Sequence, residues 1–325
     1  MIVVIKRPIA SYPAFKRFIF TILFLSLSVT LFAGCAADQQ DVSGPEGKLK
    51  VTATTGMIAD IVKEVGGENV AAEGLMGAGI DPHLYKASQG DIKKLDDADV
   101  IFYNGLHLEG KMAEMFEKLE RTKPTVAVSA NLKEEQLRAN PQGGSGSHDP
   151  HIWFNVKLWM SATEVVRDTL AEKDPANADG YKERAAAYLK ELDKLDLYVS
   201  EQIKLIPEQS RILVTAHDAF GYFGDEYGLQ VTGLQGMNTM SEYGSKDVSK
   251  LRDFLVDNQI KAVFIESSVP RKSIESVIEG AKQLGHEVTI GGELFSDAMG
   301  DEGTVEGTYI GMVKHNVDTI VNALK

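Results

Sequence analysis

The sequence predicts an α/β protein of two lobes, each a parallel sheet flanked by helices, joined by one long backbone-spanning helix. Three observations predict it. Strand-like apolar runs alternate with helix-like amphipathic ones, the order that builds parallel sheets covered by helices. That alternation occurs twice, once on each side of a helix-like run from about Pro175 to Ile206. The chain has 325 residues, 43% hydrophobic and 25% charged, which is enough for two cores.

The first residues differ in kind from the rest. Residues 1–34 carry Lys6, Arg7, Lys16 and Arg17 and no acid, then the apolar run Phe18 to Ala33, the pattern of a secretory signal. The run ends in Leu31-Phe32-Ala33-Gly34-Cys35, small residues directly before the only cysteine. An exported cysteine with no partner in its chain reads as a lipid attachment point. The other readings are a free thiol and an uncleaved anchor, for which the run falls short of the ~20 residues a span needs. Residues 35–47 are small and polar, a tether between lipid and folded protein. Loss of residues 1–34, with their four basic side chains, takes the formal charge from −13 to −17. So acidic a chain is no partner for nucleic acid.

Residues 48–174 form the first expected lobe. Its strand candidates are Leu49–Thr54, Val70–Leu75, Val100–Tyr103 and Thr125–Val128, and its helix candidates lie near Met57–Val65, Ser88–Leu95 and Lys111–Arg121. Residues 175–207 form the linking helix. Apolar side chains at Tyr181, Ala185, Tyr188, Leu192, Leu195, Val199, Ile203 and Ile206 recur at steps of three and four and share one face. Asp174-Pro175 opens the run and Pro207 closes it; at about 1.5 Å per residue it reaches roughly 45 Å, the length of two domains. In residues 208–325 the pattern returns, with strands at Arg211–Ala216, Val231–Leu234, Ala262–Ile265 and Val288–Ile290. The helices there lie near Ala219–Tyr227, Lys246–Asn258, Arg271–Leu284 and Thr308–Leu324.

Ligands of such sheets bind beyond the carboxyl ends of the strands, and the chemically distinctive residues fall there. His83 sits in the turn Gly79-Ile80-Asp81-Pro82-His83, where proline restricts the backbone; alone it reads as a ligand or a solvated turn residue. The Asp-Pro-His triplet returns at Asp149-Pro150-His151, with His148 as a competing ligand on the Gly/Ser-rich loop before it. Asp81 and Asp149 either fix imidazole tautomers or bond their own turns. His217 ends a strand and enters a helix, as a ligand or a packing residue, and Asp297 follows the last strand, as a carboxylate ligand or a helix cap. Glu266, also at a strand end, stands behind the ligands or serves a structural hydrogen bond. His107 is expected to pack or hydrogen-bond, and His286 and His315 to lie on the surface or on a helix. Three imidazoles and a carboxylate, two from each lobe, make a coherent cation site without the compact His-Glu-x-x-His spacing of a zinc protease.

The ordered set of these motifs, together with Tyr103-Asn104-Gly105-Leu106-His107-Leu108-Glu109, Thr215-Ala216-His217-Asp218-Ala219-Phe220-Gly221 and Phe295-Ser296-Asp297-Ala298-Met299-Gly300, resembles the metal-receptor lipoproteins of manganese/zinc ABC importers, in their TroA-like branch. The resemblance spans nearly the whole mature chain. It implies His83, His151, His217 and Asp297 as the metal ligands, zinc or manganese as the transported ion, and no enzymatic step. It further implies a monomer anchored through Cys35 at the periplasmic face or outer cell surface, and an ABC importer permease with its ATPase as partner. Adhesion enters only through naming in this family. Manganese-selective relatives commonly carry Glu in place of His217, whereas zinc-dedicated relatives often carry a long His-rich loop that Asn140–His148 lacks. The expectation is therefore a dual manganese/zinc receptor, with limited closure because one helix crosses both lobes. The rival classes are a zinc-dependent hydrolase with Glu266 as general base, and a purely structural metal site.

Overall fold

The structure, a computed structural model, describes residues 47–325 except Gln142 and Ser145. The signal segment, Cys35 and all of the tether but Gly47 lie outside the described residues. In the first lobe, strands β1 (Leu49–Ala53), β2 (Val70–Gly74), β3 (Val100–Tyr103) and β4 (Thr125–Ala127) form one parallel sheet in the order β2-β1-β3-β4. Helices α1 (Gly56–Gly66), α2 (Gln89–Asp97), α3 (Ala113–Leu119) and α4 (Val156–Lys173) complete it. β1 and β3 are buried almost throughout, as expected of parallel strands covered on both faces. Because β1 leads to β2 on one side and β3 leads to β4 on the other, the connections leaving the carboxyl ends of β1 and β3 run in opposite directions. That geometry opens a crevice at the strand ends.

Helix α5 (Ala178–Ile203) follows a single 3-10 turn at Pro175–Asn177. Its 26 residues span about 39 Å at 1.5 Å per residue, shorter than the sequence suggests because the proline turn and the stretch after Ile203 stand outside the α-helix. The buried face is Tyr181, Ala185, Tyr188, Leu192, Leu195, Val199 and Ile203, the stripe read from the sequence. Helix α5 packs on α1 and α4 of the first lobe and on α9 (Tyr309–Leu324) of the second. Arg184 reinforces the first contact, donating to the carbonyls of Val65 and Gly66, each at 2.8 Å, where α1 runs out of its own donors to satisfy them.

The second lobe holds two parallel strand pairs. β5 (Ile212–His217) pairs with β6 (Gln230–Gln235), and β7 (Ala262–Glu266) with β8 (Thr289–Leu294), with a register shift at Val263/Phe264. β5 runs beside β7, which brings their carboxyl ends together. Helices α6 (Gly221–Tyr227), α7 (Ser245–Asp257), α8 (Lys272–Gln283) and α9 surround them.

Helix α4 is the element least visible in the sequence, with no counterpart among the helix candidates of this lobe. Its buried residues include Val156, Leu158, Trp159, Ala162, Thr163, Val165, Val166 and Leu170, because it is covered by both α1 and α5. A helix buried over so wide an arc loses the one-sided periodicity by which helices are read. Its cap is Asn155, whose side chain accepts from the N–H groups of Lys157 and Leu158.

Candidate metal centre

Each of the two Asp-Pro-His turns holds its histidine by the preceding aspartate. The His83 N–H donates to Asp81 Oδ1 at 2.8 Å and the His151 N–H to Asp149 Oδ1 at 3.0 Å. With proline between them, the aspartate and histidine have little freedom to reorient. At His151 the aspartate also accepts from ring Nδ1 at 2.7 Å, which puts the proton on Nδ1 and leaves Nε2 as a lone-pair donor. The backbone of this turn is fixed by Asn104, whose amide donates to the Pro150 carbonyl at 2.9 Å. Asn104 is itself held by buried Glu109, which accepts from the Asn104 N–H at 2.7 Å and from the Thr54 hydroxyl at 2.6 Å. The Tyr103–Glu109 motif thus braces the strand ends beneath His151.

In the second lobe His217 is the last residue of β5 and Glu266 the last of β7. Glu266 takes the His217 N–H on Oε1 at 2.8 Å and the ring Nδ1 on Oε2, again leaving Nε2 free to donate a lone pair. Asp297 follows β8 in a segment clamped from two sides. Asn316 of α9 accepts from the Phe295 N–H at 2.9 Å and donates to the Phe295 carbonyl at 2.7 Å. Trp153 of the first lobe donates its indole N–H to the Ser296 carbonyl at 2.9 Å.

These supports converge. His83 Nε2 lies 3.3 Å from His151 Nε2 and 3.6 Å from Asp297 Oδ2. His151 Nε2 lies 3.4 Å from Asp297 Oδ1, and His217 Nε2 3.4 Å from Asp297 Oδ2. Ligands about 2.1 Å from one tetrahedral ion stand about 3.4 Å apart, which these four contacts approach, and one donor atom from each residue lies within 4.8 Å of all the others. Among the described residues, neither Asp297 oxygen nor His217 Nε2 has a hydrogen-bond partner, although all are buried. Unpaired polar atoms at such depth are costly unless a cation joins them. The four residues are 1, 0, 0 and 2% exposed, so an ion held here would be shut off from solvent.

The electrostatics follow from burial and neighbours. Burial pushes His83 down to about 3, against the pull of Asp297 and with the repulsion of His151 and His217. Burial also opposes charge on His151, but Asp149 and Asp297 outweigh it and lift this group to about 9. Glu266 and Asp297 likewise raise His217 well above the ordinary imidazole range against its burial. Asp297 is held well below the carboxylate range by the three histidines, led by His217, although burial works the other way.

The remaining sequence candidates stand apart from the group. His148 pairs with Glu134 at 3.3 Å. His107 is exposed in a left-handed conformation (φ 62°) and, among the described residues, makes no hydrogen bond. His286 and His315 bond the carbonyls of Ile260 and Glu293. Glu266, the candidate general base, has both oxygens engaged by His217. The residues that sequence reading misses are Arg138 and Asn316. Arg138 lies 3.3 Å from Asp149 and bonds Gly221 and Asp225 across the lobes.

A family model for the periplasmic component A of zinc-uptake complexes (ZnuA) matches residues 51–323. The chain belongs to this family. It is 50% identical over 304 residues to the manganese-binding lipoprotein MntA of Bacillus subtilis, covering 94% of this chain and 97% of that protein. It is 49% identical over 279 residues to the zinc-binding protein TroA of Treponema pallidum, covering 86% and 90%. The solved structure of the periplasmic zinc-binding protein TroA superposes with a TM-score of 0.82, over 85% of this chain and 99% of that one. ZnuA-family proteins of this kind are solute-binding components of uptake systems, not enzymes. The two-lobed architecture with its long helix is the fold of that TroA structure.

Proposed function

We propose that the protein is an exported lipoprotein that captures one zinc or manganese ion between its lobes and delivers it to the permease of an ABC importer powered by its ATPase. The ligands are His83, His151 and His217 through Nε2, and Asp297. The observation that carries this reading is the convergence of four buried donors, drawn from both lobes and all within 4.8 Å of one another. The relatives bearing the names of manganese-binding and zinc-binding proteins support the choice of ions. Three nitrogens and one carboxylate suit zinc, and the second carboxylate oxygen lets the same group take manganese, which prefers more oxygen ligands. In water zinc binds such donors more strongly than manganese, so the ion carried depends on supply as well as on the site.

Export rests on the charged and apolar start, and anchoring on Cys35 as the lipid-bearing residue. Among the described residues no helix is long and apolar enough to cross a membrane. The test is competitive titration of zinc and manganese into the full-length protein purified in mild detergent, wild type and Asp297→Ala. Both ions binding one site, weakened by the substitution, supports the reading; a wild type that binds neither overturns it.

A further inference from the structure

The ligands are buried on every side, so an ion enters or leaves only when part of the wall moves. The wall is unequal. Beneath the site the lobes are fixed through buried groups: Trp153 to Ser296, the Tyr309 hydroxyl to the Trp153 carbonyl at 2.8 Å, and the Tyr309 N–H to Asp60 at 3.0 Å. On the His83 side the turn carries exposed Ile80 and Leu84 and borders a surface cleft of about 410 Å³ that Asp81, Leu84, Gln235, Thr239 and Tyr243 help line. Among the described residues, one hydrogen bond ties this turn to the second lobe: the Thr239 hydroxyl donates to Asp81 Oδ2 at 2.6 Å.

That bond closes a chain from one ligand to another. His217 and Gln235 are register partners at the ends of β5 and β6. The Gln235 amide donates to the carbonyls of Thr239 at 2.7 Å and Ser241 at 2.8 Å, which folds the loop between β6 and α7 over the cleft. Thr239 then reaches Asp81, whose other oxygen holds the His83 N–H. We propose that Thr239 is a positioning residue that latches the His83 turn to the second lobe and sets how fast the bound ion leaves. It touches no ion itself. A hydroxyl bonded to a carboxylate is one of the stronger side-chain bonds, and it is the one link here whose loss frees His83 without disturbing the other three ligands.

The proposal rests on the metal-receptor reading, and the experiment separates the two. Zinc-loaded full-length protein is mixed with excess chelator and the release rate is followed for wild type, Thr239→Val and Thr239→Ser; cobalt spectra of each report the ligand geometry. The expected result is release about ten-fold faster or more in Thr239→Val, near-wild-type release in Thr239→Ser, and unchanged cobalt spectra. Equal rates in wild type and Thr239→Val overturn the latch, as does equal acceleration by both variants, which would report packing rather than the bond. An altered cobalt spectrum in Thr239→Val overturns it too, since Thr239 would then shape the coordination itself. A wild type that holds no zinc refutes the metal-receptor reading on which the latch depends.

Discussion

Replacing Glu266 with glutamine removes one charge and almost no volume, and the damage can be read from the bonds it breaks. Glu266 accepts two N–H groups of His217, one from the backbone and one from ring Nδ1. Glutamine has a single acceptor oxygen. If that oxygen takes the backbone N–H, the amide N–H₂ faces Nδ1 and drives the ring proton to Nε2, the atom needed for the metal. If it takes the ring, the buried His217 N–H is orphaned, at a cost of about 1–3 kcal/mol. Either way the ligand loses the negative charge that raises its basicity. Changes of this kind behind a ligand weaken metal binding about 10–100-fold, or roughly 1.4–2.8 kcal/mol, which agrees with the orphaned-group cost. The assay is zinc competition against a chromophoric chelator at about pH 7, with thermal unfolding of the metal-free protein alongside. Glu266→Gln binding zinc within about two-fold of wild type would refute the assignment of Glu266 as the orienter of His217. Zinc retained alongside a hydrolytic activity lost would instead revive the hydrolase.

Three further outcomes are expected of the same structure. His151 at about 9 and His217 well above the imidazole range, both held up by buried carboxylates, must shed protons to bind metal. Apparent zinc affinity therefore rises with pH towards 9, and calorimetry in buffers of different ionisation enthalpy shows protons released at about pH 7; no buffer dependence contradicts it. Asp60, buried where α1, α5 and α9 meet, is raised from 3.8 to about 6 chiefly by its burial, against the Tyr309 N–H. The folded protein then holds a proton that the unfolded chain has released between those values. The contribution of Asp60 to stability accordingly falls with rising pH across that window and levels off above about 6, by about 3 kcal/mol in all at ~1.36 kcal/mol per pH unit. In Asp60→Asn this fall is absent, so its stability relative to wild type grows between about pH 4 and 7; parallel denaturation curves would disprove the assignment. Finally, α5 packs on helices of both lobes, so only slight compaction is expected on zinc addition in small-angle scattering, and a large one counts against it.

Most of the scaffold is legible in the sequence because parallel strands read as short apolar runs and α5 carries its stripe on one face. Helix α4 is not, because burial against two helices hides its period. The four site residues are legible from the ordered motifs, two of them from the repeated Asp-Pro-His triplet, and the structure brings them together. What holds them is mostly hidden. Asn104 reaches Pro150 across 46 positions, Trp153 reaches Ser296 across 143, and Asn316 reaches back to Phe295. Bonds between residues so far apart in sequence leave no local pattern. Arg138, in an irregular stretch near the Gly/Ser-rich loop, gives no signal at all. Glu266 is the exception, since a carboxylate at the end of a strand, like the histidine at the end of its neighbour, is visible in the sequence.

All of these bonds serve the one arrangement proposed above, a single ion between the lobes on three imidazoles and one carboxylate. Diffraction from zinc-loaded crystals on both sides of the zinc absorption edge would locate that ion. A single strong anomalous peak is expected about 2.0–2.2 Å from Nε2 of His83, His151 and His217 and from an Asp297 oxygen. A peak lying elsewhere, or one from which Asp297 or any of the three histidines turns away, would be incompatible with this centre.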